Sequence, residues 1–208
     1  MTRVKICGLT IYADALAAAN LGADALGFVF APRSRRRADP ETVAAFASGL
    51  PPFVTLVGVF QDQPLSEVRE IMKGCGLHVA QLHGLESPSY LLELGLPSFK
   101  AFSVKREEDI AGIALYPGAG GYLLDSGAGG SGLPFDWTLA AAARKFGRIV
   151  VAGGLTPGNV GEAIKTARPW GVDTAGGVEV SPGVKDHRRI AEFMKAVRDA
   201  DRALEEAG

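Results

Sequence analysis

Short apolar runs alternate along this chain with longer segments whose apolar residues recur every three or four positions. The runs fall at residues 3–7, 24–30, 53–60, 77–82, 98–102, 121–124, 148–152 and 171–174. Most are nearly continuous in Val, Ile, Leu, Phe and Ala, the pattern of parallel strands buried on both faces beneath helices. Between them the pattern predicts helices over 11–21, 40–47, 64–73, 87–94, 106–115, 136–146, 157–167 and 186–204. Thr10 and Asp136 are placed to cap their helices, and Ser87 begins the fourth. Pro40, Pro64 and Pro157 suit first turns, and Gly22 suits the end of the first helix. The segment 106–115 is the least amphipathic. In the last helix Ile190, Phe193, Met194 and Val197 have the i, i+3, i+4, i+7 spacing of a core-facing stripe.

Strands alternating with helices in this way predict an α/β fold, a single (β/α)8 TIM barrel over 1–208. An open doubly wound sheet is the rival. It would place a glycine fingerprint directly after the first strand, where only Gly8 stands, and the glycine clusters here come late. No linker suggests a second domain, although 208 residues is slightly short for an eight-fold barrel.

Composition narrows the function classes. Apolar residues make up 47% of the chain and charged residues 22%, as in a globular protein with a large core. A formal charge of −1 gives no global pull toward nucleic acid or a membrane surface. No apolar run is long enough to span a bilayer, and no secretory start is visible. Two cysteines, Cys7 and Cys75, cannot build a disulfide framework, which points to the cytoplasm. No spacing among His78, His83, His187 and the cysteines matches a zinc site, so no metal is expected.

Candidate chemistry concentrates at strand ends. Cys7 closes the first strand and Asp125 follows Tyr122-Leu123-Leu124 at the end of the sixth. In a barrel such positions lie at the C-terminal mouth, where side chains meet substrate. A thiol and a carboxylate across one mouth make a base and an acid. The plainer alternatives are a small buried apolar residue for Cys7 and a loop cap for Asp125. Lys5, two residues before Cys7, points to the same side and would favour the thiolate. Cys75, at a helix end, reads as structural. Gly153-Gly154 and Gly176-Gly177 follow strands seven and eight, where barrel enzymes commonly hold phosphate on backbone amides. They read alternatively as tight turns. The stretch 127–132 suits a cover over substrate or a plain surface excursion. Among Arg33, Arg35, Arg36 and Arg37, one directed inward would grip a carboxylate or phosphate through two parallel hydrogen bonds. His83 ends strand four, where a structural role is the commoner one.

Taken in order, these segments resemble the phosphoribosylanthranilate isomerase family over nearly the whole chain. The resemblance is carried by Lys5-Ile6-Cys7-Gly8-Leu9-Thr10, Gly27-Phe28-Val29-Phe30 with Ser34-Arg35-Arg36, Val57-Gly58-Val59-Phe60 and Gln81-Leu82-His83-Gly84. It continues through Leu124-Asp125-Ser126, Gly129-Gly130-Ser131-Gly132, Phe135-Asp136-Trp137, Ala152-Gly153-Gly154-Leu155 and Gly177-Val178-Glu179 with Pro182-Gly183-Val184-Lys185-Asp186.

The resemblance implies a cofactor-free Amadori rearrangement of N-(5-phosphoribosyl)anthranilate in tryptophan biosynthesis. Cys7 would be the base and Asp125 the acid. Arg36 would hold the anthranilate carboxylate, with Arg35 and Arg37 as alternatives. His83 and Asp173 would bind substrate, and Gly153, Gly154, Gly176 and Gly177 would hold the phosphate. Two departures stand out. Asp173-Thr174-Ala175-Gly176-Gly177 lacks the serine pair frequent in the family, and Arg35 replaces a frequent proline. Rival readings are a histidine-pathway isomerase, indole glycerol phosphate synthase, a cysteine-nucleophile enzyme and a non-catalytic phospho-ligand binder. The sequence leaves open whether the protein is a monomer or a homodimer.

Overall fold

The computed structural model describes residues 1–126 and 136–207. Eight parallel strands close in chain order into a barrel. They are β1 (Arg3–Cys7), β2 (Ala25–Val29), β3 (Thr55–Phe60), β4 (Val79–Leu82), β5 (Ser98–Ser103), β6 (Tyr122–Asp125), β7 (Ile149–Val151) and β8 (Gly171–Thr174). The helices that follow them are α1 (Tyr12–Asn20), α2 (Pro40–Ala47), α3 (Leu65–Gly74), α4 (Pro88–Leu94), α5 (Glu107–Ala111), α6 (Trp137–Ala143), α7 (Val160–Ala167) and α8 (His187–Glu206). The predicted barrel is therefore the observed one. The closed β1–β8 pairing, with Lys5 opposite Asp173, excludes the open sheet.

Strand alternation divides the core in two. Val4, Ile6, Leu26, Phe28, Leu56, Leu82, Leu124, Val151 and Val172 face outward and pack under the helices with Ile190, Phe193, Met194 and Val197 of α8. Ala101, Leu123 and Ala152, backed by Phe99 and Val150, form a smaller cluster inside the barrel. Lys5, Cys7 and Asp173 belong to the same inward set as Leu123, which is why the polar site is built from alternate positions of otherwise apolar strands.

The cap read at Asp136 holds, accepting from Thr138 N, and Ser87, read as a helix start, accepts from Tyr90 N. Two caps not read from sequence are Asp39, which accepts from Thr42 N ahead of Pro40 in the first turn, and Asp186, which accepts from Arg188 N and Arg189 N. Thr10 is different. Ile11 is the residue before α1, no side chain caps it, and the Thr10 hydroxyl donates to Gly183 O at 2.8 Å. The seventh helix starts at Val160 rather than at Pro157. Asn159 accepts from Thr156 N at 2.7 Å and donates to Gly154 O at 2.9 Å, which holds that segment as a separate turn. The weak segment 106–115 divides into α5 and a 3₁₀ turn, Gly112–Leu115. A small antiparallel hairpin, β9 (Glu179–Ser181) and β10 (Val184–Lys185), was not expected and sits between β8 and α8. The glycine-rich cover at 127–132 lies outside the described residues.

Candidate functional site at the C-terminal mouth

The C-terminal ends of β1, β4, β6 and β8 bring Cys7, His83, Asp125 and Asp173 to one end of the barrel. Cys7 and Asp125 stand on strands separated by β7 and β8 around the closed sheet. A cavity of about 390 Å³ opens there, lined by Arg36, Asp125, Asp173, Thr174 and the two double-glycine segments. A larger cavity of about 580 Å³ lies at the opposite end among strand starts such as Thr55, Val79 and Gly171. Its walls are mainly apolar, with Lys5 and Asp24 among them, whereas Arg36, Asp125 and Asp173 line the smaller one; Cys7 and His83 stand at the same end of the barrel but are not among its lining residues.

Cys7 is a free, buried thiol. Lys5 lies below it on the same face, and the Lys5 ammonium binds Asp173 Oδ1 at 2.7 Å in a nearly dry setting. The Lys5 charge also favours the thiolate. Burial alone would strip the Lys5 charge, but Asp173 and Cys7 outweigh it and push the ammonium up to about 12. Lys5 does favour the Cys7 thiolate, as expected, but burial outweighs it. Burial raises the thiol above its ordinary value, and Asp173 adds to that, while Lys5 and Lys185 offset only part of it. The thiol is held toward its protonated form because the barrel wall withholds solvent from the thiolate.

Asp125 closes β6 and stays partly accessible. His83 Nε2 is 3.9 Å from its Oδ2, and Gln81 Nε2 stands 2.9 Å from His83 Nδ1. Burial moves the imidazole down toward its neutral form against the pull of Asp125. Gly153 packs directly on the acid. Its φ is +80°, and a Cβ there would come within 2.8 Å of Asp125 Oδ1, so a side chain would displace the carboxylate. Gly154, Gly176 and Gly177 continue that wall, and Thr174 ties it together by donating to Leu155 O at 2.8 Å.

Of the loop arginines, Arg33, Arg35 and Arg37 are exposed, and Arg36 turns inward. Arg36 makes a two-pronged bond to Glu179 with Nε and Nη2 both 2.8 Å from its oxygens. Lys185 Nζ reaches the same carboxylate at 2.8 Å. Glu179 and Lys185 were missed as site residues. The available signal was their place in the quoted Gly177-Val178-Glu179 and Pro182-to-Asp186 segments. Asp173 serves Lys5 from inside the barrel rather than the glycine loop. Cys75, as expected, is buried at the end of α3 with Sγ 3.3 Å from Pro40 O. Among the described residues no three His, Cys, Asp or Glu side chains gather as a metal site.

The family model for N-(5'-phosphoribosyl)anthranilate isomerase matches residues 4–196. The Geobacter sulfurreducens protein of that name is 46% identical over 202 residues, covering 95% of this chain and 99% of that one. The crystal structure of phosphoribosyl anthranilate isomerase from Thermotoga maritima superposes with a TM-score of 0.91 at 40% identity, covering 96% of this chain and 100% of that one. Monomers have been generated from a dimeric Thermotoga maritima enzyme of this kind. A further structure, bound to reduced 1-(o-carboxyphenylamino)-1-deoxyribulose 5-phosphate, gives a TM-score of 0.88 at 38% identity, with coverage of 96% and 100%.

Proposed function

Since the chain belongs to the N-(5'-phosphoribosyl)anthranilate isomerase family and isomerises phosphoribosylanthranilate in tryptophan biosynthesis, we propose that Cys7 and Asp125 carry the proton transfers of that reaction. The observation behind this assignment is their placement at the C-terminal ends of well-separated strands of one closed barrel, with Asp125 against the glycine wall. Asp125, as the acid, protonates the furanose ring oxygen. The C1–O bond breaks and the anilino nitrogen becomes an iminium. That cation acidifies C2, and the Cys7 thiolate removes the C2 proton to leave an enolamine. Loss of the enol proton and protonation at C1 give 1-(2-carboxyphenylamino)-1-deoxyribulose 5-phosphate. The substrate supplies its own electron sink in the iminium.

Backbone amides of Gly153, Gly154, Gly176 and Gly177 hold the phosphate. Where the serine pair is absent, Thr174 has its hydroxyl committed to Leu155 O. His83, beside Asp125, and Asp173, held by Lys5, border the sugar. Arg36 holds the anthranilate carboxylate through the guanidinium edge that Glu179 leaves open. Arg36→Ala is expected to raise KM by about 10–100-fold, the worth of a charge-assisted pair. An unchanged KM in steady-state fluorescence assays would move this role to Arg35 or Arg37.

Two further proposals concern setting and assembly. Among the described residues no helix is long and apolar enough to cross a membrane. Two free, buried cysteines fit a reducing cytoplasm. A homodimer, the alternative the sequence leaves open, has a candidate surface at the N-terminal end. Phe53 is fully exposed at the rim of the apolar cavity there. In a two-fold pair each Phe53 would enter the other's cavity, worth roughly 3–6 kcal/mol for the two rings. Phe53→Asp should then sediment as a monomer where the native chain sediments as a dimer. A native monomer at micromolar concentration would end the proposal.

A further inference from the structure

We propose that Glu179 is a positioning residue: it fixes the Arg36 guanidinium so that one edge faces the substrate, and thereby sets the preference for an aromatic amine bearing a carboxylate. The inference rests on the assignment of Arg36 to that carboxylate.

The geometry restrains Arg36 at several atoms. Its Nε lies 2.8 and 3.0 Å from the two Glu179 oxygens, and Nη2 lies 2.8 Å from Oε2. Its Cδ packs against Gly8, where an added Cβ would come within 2.6 Å. With the Nε–Nη2 edge taken by Glu179, the Nη1–Nη2 edge is the fork left to meet a second carboxylate. A long side chain already held in place loses less freedom when ligand arrives.

Glu179 is itself anchored. Lys185 Nζ binds Oε1 at 2.8 Å and Gly183 N donates to Oε1 at 3.2 Å. Arg189 Nη1 donates to the Glu179 carbonyl. Burial would push the carboxyl up, but the bonds from Arg36 and Lys185 hold it below its ordinary range, so it stays charged. The Lys185 side chain has no exposed surface, and it also donates to Ala175 O at 3.1 Å. The cluster joins two basic side chains to one carboxylate: Arg36 and Glu179 both line the cavity, while burial pulls the Lys185 ammonium down toward its neutral form. The β9–β10 hairpin exists, on this view, to carry Glu179 and Lys185 to a loop arginine 143 positions away in sequence.

Simple electrostatics and positioning predict opposite signs. Removing the Glu179 charge would strengthen attraction for any added carboxylate if charge alone mattered. If orientation matters, preference for the carboxylate falls. The test is calorimetric. Binding of reduced 1-(o-carboxyphenylamino)-1-deoxyribulose 5-phosphate is compared with that of its phenylamino analogue lacking the carboxyl. The Kd of the analogue divided by that of the carboxylated ligand isolates the carboxylate, because both ligands share the phosphate and sugar.

Glu179→Gln is expected to lower that ratio about tenfold, and Glu179→Asp, which keeps the charge at shorter reach, to lower it less. Should the Gln variant fail to fold, a ratio for the Asp variant equal to that of the native enzyme overturns the proposal. Equal weakening of both ligands, or tighter binding of the carboxylated one, also overturns it. Arg36→Ala separates the two layers. A native ratio in that variant removes the Arg36 assignment itself. A collapsed ratio there, with Glu179→Gln unchanged, removes only the role of Glu179.

Discussion

Cys7→Ala is expected to lower kcat by about 10²–10⁴-fold, the usual worth of a general base. Cys7→Ser should do nearly the same, because a hydroxyl of similar size is a far weaker acid and yields almost no alkoxide. The fold should survive both, since the exchanged atom points into the mouth rather than into the helix-covered core. The thiol environment gives the loss a pH signature. Burial and Asp173 raise the thiol above its ordinary 9.0, so in the free enzyme the protonated, inactive form dominates at neutral pH. The kcat/KM profile should therefore climb through neutrality and bend only above that ordinary value, because kcat/KM reports free-enzyme groups.

Neighbouring charges can move the bend in either direction. Lys5→Met removes two effects that favour the thiolate, so iodoacetamide should alkylate Cys7 more slowly at pH 8. Asp173→Asn removes an anion that disfavours it, so alkylation should speed up. Identical alkylation rates in the native enzyme and both variants would show that the thiol does not feel this pair. Normal turnover in Cys7→Ala would remove the residue from the mechanism outright.

The contrast between Cys7 and its setting shows what the chain makes readable. A short apolar run ending in a polar residue before glycine or a turn locates a strand end, so Cys7, His83 and Asp125 could be placed at the mouth before any coordinates. Alternation also put Lys5 on the face of Cys7. What alternation cannot supply is register across closure. The Lys5–Asp173 bond joins residues 168 positions apart and exists only because β8 returns beside β1. The direction of the thiol shift followed the same ignorance. A lysine two residues away argued for a thiolate, yet the desolvation of a closed barrel prevails.

Thr10 failed as a cap for a comparable reason. Its hydroxyl was claimed by Gly183 of a hairpin whose two short strands carry too little alternation to be seen. That hairpin also hid Glu179. Gly153 was legible as a loop glycine but not as the residue that leaves room for Asp125, since that requires knowing that β7 lies beside β6.

Replacing the acid should separate the two chemical steps. Asp125→Asn keeps the shape and a hydrogen-bonding side chain but has no carboxyl proton to give, and it should lower kcat by about 10²–10⁴-fold. Loss at the acid differs in kind from loss at the base. Asp125 acts when the ring opens, before the C2–H bond is touched. With Asp125 intact, substrate deuterated at C2 should turn over more slowly to the extent that proton removal limits the rate. In Asp125→Asn ring opening becomes the slow step, and the isotope effect should shrink toward unity.

Gly153→Ala offers an independent approach to the same carboxylate. The new Cβ would fall 2.8 Å from Asp125 Oδ1 at a φ of +80°, so it shifts the acid without removing it. A partial loss with the same shrinking isotope effect is expected. His83 stands 3.9 Å from the carboxylate, beyond a direct bond, so His83→Asn should cost less than the Asp125 variant. A full isotope effect in Asp125→Asn would mean that ring opening proceeds without this carboxylate. The base at Cys7 would then act on a sugar opened by some other group.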